Sequence, residues 1–281
     1  MGARRAAVLG SPIEHSLSPV LHEAAYRELG LSDWTFSRVR CEADELPGLM
    51  DGLGPEWAGV AVTMPGKRAA LAYAAERTRV AELVGAANTL VPRACGGWLA
   101  DCTDVEGVVG SVRAAGGVRS GGRAVVLGAG GTATAALTAL EALEIPSATI
   151  VVRDPARAGE ALACAARVGI AAEVVRWDAV DFAALCGGAE LVVSTVPTGA
   201  VEPVAGDIVR AGCVFDVIYH PWPTPLAQAA GERGARVVTG LDMLLHQAFA
   251  QVHWFTGQQA PREAMRQALR SATATHLPLP V

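Results

Sequence analysis

One lysine, Lys67, stands among 22 arginines in 281 residues. Arginine is a planar fork that stays charged, whereas lysine is a compact donor whose pKa moves when it is buried. Where a proton must move near neutral pH, only the lysine serves. Lys67 closes the segment Ala61-Val62-Thr63-Met64-Pro65-Gly66-Lys67, just after the apolar run Trp57-Ala58-Gly59-Val60-Ala61-Val62. That spacing places it at a strand-to-helix turn, where α/β enzymes put their sites. Four further segments carry polar groups that packing alone does not ask for: Ser11–Pro19, Gly85–Thr89, Asp101–Asp104 and Leu241–Gln247. Together they offer hydroxyls, an amide pair, a carboxylate and one ammonium, a set suited to a polyol that bears a carboxylate.

Each segment also has a plainer use. Ser18 before Pro19 fits a helix N-cap. Thr103 with Glu106 fits a capping box, which leaves Asp104 an ordinary first-turn acid. Asn88 fits a turn, and Gln247 a solvent-facing position, although Leu244, Leu245, Ala248 and Phe249 make its helix mostly apolar. These plain readings must hold jointly, beside a solitary lysine.

The elements that position these residues follow from hydrophobic period. In the first third, β-branched runs near Ala6–Leu9, Trp34–Val39, Val60–Thr63 and Thr89–Val91 alternate with helical stretches near Pro19–Leu29, Ala43–Met50 and Arg68–Ala75. The alternation predicts βα units and a largely parallel sheet. A helix from Asp104 runs into the Gly-rich stretch Gly116–Gly122, which reads as a linker. A second βα series follows, with strands at Ala124–Leu127, Ala148–Val152, Glu173–Val175, Leu191–Ser194, Val214–Val217 and Arg236–Val238. After Gly240 the pattern is purely helical, Leu241–Thr256 and Pro261–Ser271. Closing helices without strands return to pack on an earlier domain. The expected division is therefore 1–103 with 241–281 around 104–240, with the cleft between the two domains. The tail Thr275–Val281, with two prolines, is expected to fray.

The run Ala124-Val125-Val126-Leu127-Gly128-Ala129-Gly130-Gly131-Thr132-Ala133 is a buried strand, a glycine turn and a helix start. Gly128 permits the turn. Gly130 and Gly131 let backbone N–H groups approach a pyrophosphate at the helix N-terminus. The spacing departs from G-x-G-x-x-G/A only by the added Gly131, with Ala133 in the last position. The end of the next strand separates the two nicotinamide cofactors: an acid there binds a ribose 2′-hydroxyl, and arginines receive a 2′-phosphate. Here it reads Val152-Arg153-Asp154-Pro155-Ala156-Arg157. Arg153 and Arg157 suit a phosphate, whereas Asp154 argues for NAD unless it caps the helix opening at Pro155. NADP is expected over NAD.

Bulk properties narrow the field. Apolar residues make up 51% and charged ones 18%, enough for a sizeable core and too apolar for wholesale disorder. A net charge of −5 without a basic run gives no footprint for nucleic acid or an anionic membrane. Met1 to Leu9 is too short for a signal peptide and holds Arg4 and Arg5, so neither a leader nor a membrane span is expected. Six cysteines form no C-x-x-C pair and read as reduced thiols of a cytoplasmic enzyme. Six histidines without ligand spacing make a metal site unexpected.

Taken in order, the motifs Ser16-Leu17-Ser18-Pro19, Val62-Thr63-Met64-Pro65-Gly66-Lys67, Gly85-Ala86-Ala87-Asn88-Thr89, Thr103-Asp104, Gly128-Ala129-Gly130-Gly131, Tyr219 with Thr224-Pro225, and Gly240-Leu241-Asp242-Met243 with Gln247 resemble the shikimate dehydrogenase family over nearly the whole chain. The resemblance implies an α/β, two-domain fold. An N-terminal α/β substrate domain is completed by C-terminal helices and joined to a Rossmann-like NADP-binding domain. It implies reversible NADPH-dependent reduction of 3-dehydroshikimate to shikimate, on the way to chorismate and aromatic amino acids. Lys67 and Asp104 would flank the reacting oxygen. Ser16, Ser18, Thr63, Asn88, Tyr219 and Gln247 would bind the substrate. The cofactor set would be Gly128, Ala129, Gly130, Gly131, Thr132, Arg153, Arg157 and Thr195, with Val217, Ile218 and Gly240 on the nicotinamide side. The expected partner is a small-molecule substrate, with no nucleic acid and no membrane, in a monomer or homodimer.

Two departures stand out. The family often has Asn-Arg-Thr where this chain has Val152-Arg153-Asp154. Many members also carry an acid where Arg79 stands, so that contact is not carried over. A quinate-using or aminoshikimate relative would keep the same fold. A folate-type dehydrogenase would want a tyrosine four residues before the lysine, and that position is Thr63. A nucleotide-sensing module without catalysis would not need the Lys67 and Asp104 pair.

Overall fold

The computed structural model describes residues 3–274 and 277–281. It divides into two compact units, 1–103 with 244–279, and 104–243.

The first unit is built from β1 (Arg4–Gly10), α1 (Ser18–Glu28), β2 (Trp34–Arg40), α2 (Leu46–Asp51), β3 (Trp57–Val62), α3 (Lys67–Tyr73), β4 (Glu76–Arg77), α4 (Arg79–Val84), β5 (Thr89–Pro92) and β6 (Trp98–Asp101). Its sheet runs β2-β1-β3-β5-β6-β4. Strand β1 pairs parallel with β2 and β3, and its Ala6, Ala7, Val8 and Leu9 are buried, as a central strand covered on both faces requires. The expected largely parallel pattern is interrupted at one strand, β5, while β4 and β6 pair parallel. Strand β5 is antiparallel to both β3 and β6. The β5–β6 pairing has a local cause: Arg93 to Gly97 close a hairpin, with Arg93 N–H donating to the Gly97 oxygen at 3.0 Å and both Gly96 and Gly97 at positive φ. Strands joined by so short a turn pair antiparallel. The period reading also missed β4, α4 and β6, which are too short to show one.

The second unit holds α5 (Asp104–Ala114), β7 (Arg123–Leu127), α6 (Gly131–Ala142), β8 (Ser147–Val152), α7 (Gly159–Arg167), β9 (Ala171–Arg176), α8 (Phe182–Gly187), β10 (Leu191–Ser194), α9 (Thr198–Val201), α10 (Ala205–Ile208), β11 (Val214–Asp216), α11 (Pro225–Arg233) and β12 (Val237–Thr239). All its strands are parallel, in the order β12-β11-β10-β7-β8-β9. That is the doubly wound dinucleotide-binding order, with the chain reversing direction beside β7. Val125, Leu127, Val151, Val192 and Val214 are almost wholly buried in its core.

Two helices close the chain, α12 (Gly240–Thr256) and α13 (Arg262–Thr273). The first turn of α12 falls with the second unit, and Leu244 onward with the first. Asp242 accounts for the former: its Oδ2 accepts from Thr239 N–H at 2.8 Å and Oγ1 at 2.6 Å, tying the turn to β12. Gly59 accounts for the latter. A Cβ there would lie 2.3 Å from the Phe255 ring, so a bare backbone is what lets α12 lie on β3. Burying Phe255, Leu245 and Val252 this way stabilises the unit by about 1.5–3 kcal/mol per side chain. The tail departs from the expected fraying, since Leu279 is fully buried. Thr275 and His276 lie outside the described residues. Among the described residues no helix is long and apolar enough to cross a membrane.

Candidate functional site

Backbone hydrogen bonds gather the polar segments of the first unit at one end of its sheet. Thr63 N–H donates to the Leu9 oxygen at 2.8 Å, and Ser11 N–H to the Met64 oxygen at 3.0 Å. Gly10 makes this approach possible, because a Cβ would sit 2.8 Å from the Met64 oxygen. Lys67 is the first residue of α3, half-buried, and its carbonyl accepts from Ala87 N–H at 2.9 Å. Asn88 then donates its N–H to the Asp101 oxygen at 3.1 Å and accepts from Val62 N–H at 2.7 Å. Sequence segments far apart are thus stitched by the sheet register.

The side chains of three of these residues close on one another. Asn88 Oδ1 accepts from Thr103 N–H at 2.8 Å. Asn88 Nδ2 donates to Thr103 Oγ1 at 3.0 Å and to Gln247 Oε1 at 3.3 Å. Thr103 Oγ1 lies 3.3 Å from Gln247 Oε1. Gln247 Nε2 is held by the Leu244 carbonyl at 3.0 Å. All three residues are buried, and in so dry a place each donor and acceptor needs its partner. Gln247 is therefore not solvent-facing, and the Thr103 hydroxyl serves Asn88 and Gln247. Ser18 is not an N-cap either: it lies inside α1, no side chain caps that helix, and its Oγ is 3.3 Å from Ser16 Oγ. Asp104 follows Thr103 directly, opens α5 and is buried.

The second unit leaves its glycine turn uncrowded at Gly130 and Gly131. Gly128 has φ +107°, and a Cβ there would lie 2.4 Å from Thr195 Oγ1, which itself donates to the Leu127 carbonyl at 2.8 Å. Gly130 caps α6, and around a Cβ at Gly130 or Gly131 nothing lies within 4 Å. Open space at a helix N-terminus, floored by glycines, fits a pyrophosphate. At the end of β8, Asp154 Oδ1 accepts from Ala156 N–H at 3.1 Å and so caps the short turn Pro155–Ala158. One oxygen of its carboxylate is engaged by the backbone, and Arg153 and Arg157 are exposed beside it. These residues suit a 2′-phosphate better than a bare ribose.

At the next strand ends, Val217 N–H donates to the Ser194 carbonyl at 3.1 Å. Asp216 then clasps the following loop, accepting from Ile218 N–H at 3.2 Å and Thr224 Oγ1 at 2.7 Å. Burial raises the Asp216 pKa above the ordinary carboxylate range, and these two bonds oppose the rise. Tyr219 rides on this loop, and burial raises its phenol pKa. Gly240 packs against the same backbone: a Cβ would fall 2.1 Å from the Val217 oxygen.

Two neighbours of the amide cluster, His22 and Gln251, were not singled out from sequence, and Thr89 was named only as part of its motif. Thr89 donates to Asn88 Oδ1 at 2.9 Å. Gln251 donates to the Asn88 carbonyl at 3.2 Å and meets His22 at 3.3 Å. Gln251 sits four residues after Gln247, on the same helix face, and that spacing was the available signal.

A doubly wound parallel unit with a glycine turn, and a second α/β unit holding a buried amide–hydroxyl cluster, define a dinucleotide-linked α/β enzyme. A family model described as the shikimate dehydrogenase substrate binding domain matches residues 8–90, and one described as the shikimate 5′-dehydrogenase C-terminal domain matches 240–270. The shikimate dehydrogenase (NADP(+)) of Moorella thermoacetica is 36% identical over 276 residues, covering 95% of this chain and 92% of that protein. The crystal structure of Mycobacterium tuberculosis shikimate dehydrogenase is 50% identical, with a TM-score of 0.90 over 95% of this chain and 99% of that one. Shikimate 5-dehydrogenase from Thermus thermophilus, in complex with NADP(H) and shikimate, is 30% identical with a TM-score of 0.79, covering 96% and 99%. The chain belongs to the shikimate dehydrogenase family.

Proposed function

We propose that this protein reduces 3-dehydroshikimate reversibly to shikimate with NADPH, in the pathway to chorismate and aromatic amino acids. The carrying observation is the closed Asn88–Thr103–Gln247 cluster, whose Asn88 neighbours the Ala87 that holds Lys67. The relatives' NADP-linked shikimate activity favours this reading over a quinate or amino-analogue substrate.

In this reading Ser16, Ser18, Thr63, Asn88, Tyr219 and Gln247 bind the substrate's carboxylate and hydroxyls. Gly128, Ala129, Gly130, Gly131 and Thr132 hold the pyrophosphate, Arg153 and Arg157 the 2′-phosphate, and Thr195, Val217, Ile218 and Gly240 the remaining length of the cofactor. NADP(H), when bound, supplies or takes up the hydride at the carbonyl carbon. Lys67, as ammonium, donates a hydrogen bond to the carbonyl oxygen and gives it a proton as negative charge grows there; in oxidation the neutral amine takes the hydroxyl proton back. Asp104 supplies the negative charge that favours the ammonium, and desolvation favours the amine. The reading extends to a monomer or homodimer acting in the cytoplasm.

The test is NADP-linked oxidation of shikimate by the purified protein, followed at the nicotinamide absorbance, with NAD and quinate as controls. Turnover with shikimate and NADP well above the other pairings is expected. No turnover, or a preference for quinate, would refute the assignment.

A further inference from the structure

Behind the amide cluster lies a second polar layer in the same unit. His22, on α1, is fully buried, with its ring stacked on Phe36 at 4.0 Å between centroids and on Phe255 at 5.6 Å. Its Nε2 lies 3.3 Å from Gln251 Oε1. Gln251 Nε2 reaches the Asn88 carbonyl at 3.2 Å and Thr89 Oγ1 at 3.0 Å. Thr89 Oγ1 donates in turn to Asn88 Oδ1 at 2.9 Å.

Two backbone groups remove the freedom to flip this chain. A carbonyl only accepts, so the Gln251 atom facing the Asn88 oxygen must be the NH2. Gln251 Oε1 then faces His22, and Nε2 of the imidazole must carry the proton. At the other end, Thr103 N–H only donates, so the Asn88 atom facing it must be Oδ1. The two orders meet at the Thr89 hydroxyl, which accepts from Gln251 and gives its one proton to Asn88. Among the described residues the buried His22 Nδ1 has no hydrogen-bond partner. This fits a bare lone pair on Nδ1, since orphaned acceptors are better tolerated than orphaned N–H groups. Burial also pushes the His22 pKa down to about 3, so the ring is neutral in working conditions.

We propose that His22 is a positioning residue: its Nε2–H holds Gln251 in the orientation the Asn88 carbonyl selects, and through Gln251 and Thr89 it steadies the Asn88 amide that meets the substrate. The inference rests on the reading of Asn88 as a substrate ligand. Its ground is geometric, a hydrogen-bonded path from a buried imidazole to that amide with direction fixed at both ends.

The test compares His22→Phe with His22→Gln in steady-state kinetics and urea unfolding. Phenylalanine fills the aromatic slot but donates nothing; glutamine packs less well but can place an N–H near Gln251 Oε1. His22→Phe should raise the KM for shikimate by about five- to tenfold, the worth of about one buried hydrogen bond, with kcat and the KM for NADP far less affected. His22→Gln should stay nearer the wild-type KM despite the lower stability. The reverse order in KM, tracking stability, would mean that His22 only packs and would overturn the proposal. Nitrogen NMR of the wild type gives a reading independent of variants, and a proton on Nδ1 would also overturn it. Asn88→Ala separates the two claims. If it leaves the shikimate KM unchanged, the substrate-site reading fails. If it raises KM while His22→Phe does not, only the positioning role of His22 fails.

Discussion

The backbone N–H of Thr103 meets Oδ1 of Asn88 at 2.8 Å, fifteen residues along the chain. That bond sets which end of the amide accepts and which donates. Replacing Asn88 by Asp keeps the shape and the acceptor but sets a second oxygen 3.3 Å from Gln247 Oε1, in a buried place. We expect Asn88→Asp to raise the KM for shikimate at least ~10-fold and to lower stability by about 1–3 kcal/mol, the cost of an unmade buried hydrogen bond. Michaelis curves and urea unfolding of the same preparation check both.

Lys67 is the only primary amine among the side chains. Lys67→Ala should lower kcat at least ~10²-fold, the usual scale for a positioned acid–base group, with little change in the shikimate KM. Lys67→Arg should fail as well, because a guanidinium does not release its proton near neutral pH. Unaltered turnover in either variant would remove Lys67 from the mechanism.

Gly130 and Gly240 should respond differently to the same methyl group. At Gly130 the backbone is extended and nothing lies within 4 Å of a Cβ, so Gly130→Ala should fold with an unchanged melting temperature. The methyl would occupy the space proposed for the pyrophosphate and weaken NADP binding by at least ~10-fold, as loss of close backbone approach predicts. At Gly240 the Cβ would strike the Val217 carbonyl, a group that cannot swing aside. Gly240→Ala should therefore lower the melting temperature itself. Titration with NADP beside thermal melts distinguishes the two; full NADP affinity in Gly130→Ala would displace the cofactor from the α6 N-terminus.

His22 carries a stability signature in pH. Its folded-state pKa is pushed down to about 3 by burial, against 6.5 for the free group. Between those values the unfolded chain holds a proton that the folded chain lacks. The stabilisation is complete above pH 6.5 and drains as the pH falls toward about 3, at up to about 1.4 kcal/mol per unit. The rings facing it belong to Tyr26, Phe36 and Phe255; Tyr26 stays un-ionised, its phenol pKa raised by burial. Urea unfolding at pH 7 and pH 5 should show the wild type losing about 2 kcal/mol more than His22→Phe, the integral of that slope. Equal losses would mean that His22 does not titrate this way.

What the amino-acid order decided by itself is local. The glycine turn after Leu127, the strands at Leu191–Ser194 and Ala148–Val152, the motif around Lys67 and the cap offered by Asp154 before Pro155 all declare themselves within a few residues. Their signals are steric and periodic: a positive φ only glycine takes readily, an apolar run a sheet must bury, a φ that proline presets. The tertiary structure decided what the Asn88 amide, the Thr103 hydroxyl and Gln247 do, and that His22 and Gln251 stand behind them. Hydrogen-bond direction has no sequence period. His22 and Gln251 are 229 positions apart. Only after β3, β5 and α12 pack, with Gly59 letting the helix down onto the sheet, does the Asn88 carbonyl dictate which way the Gln251 amide must turn.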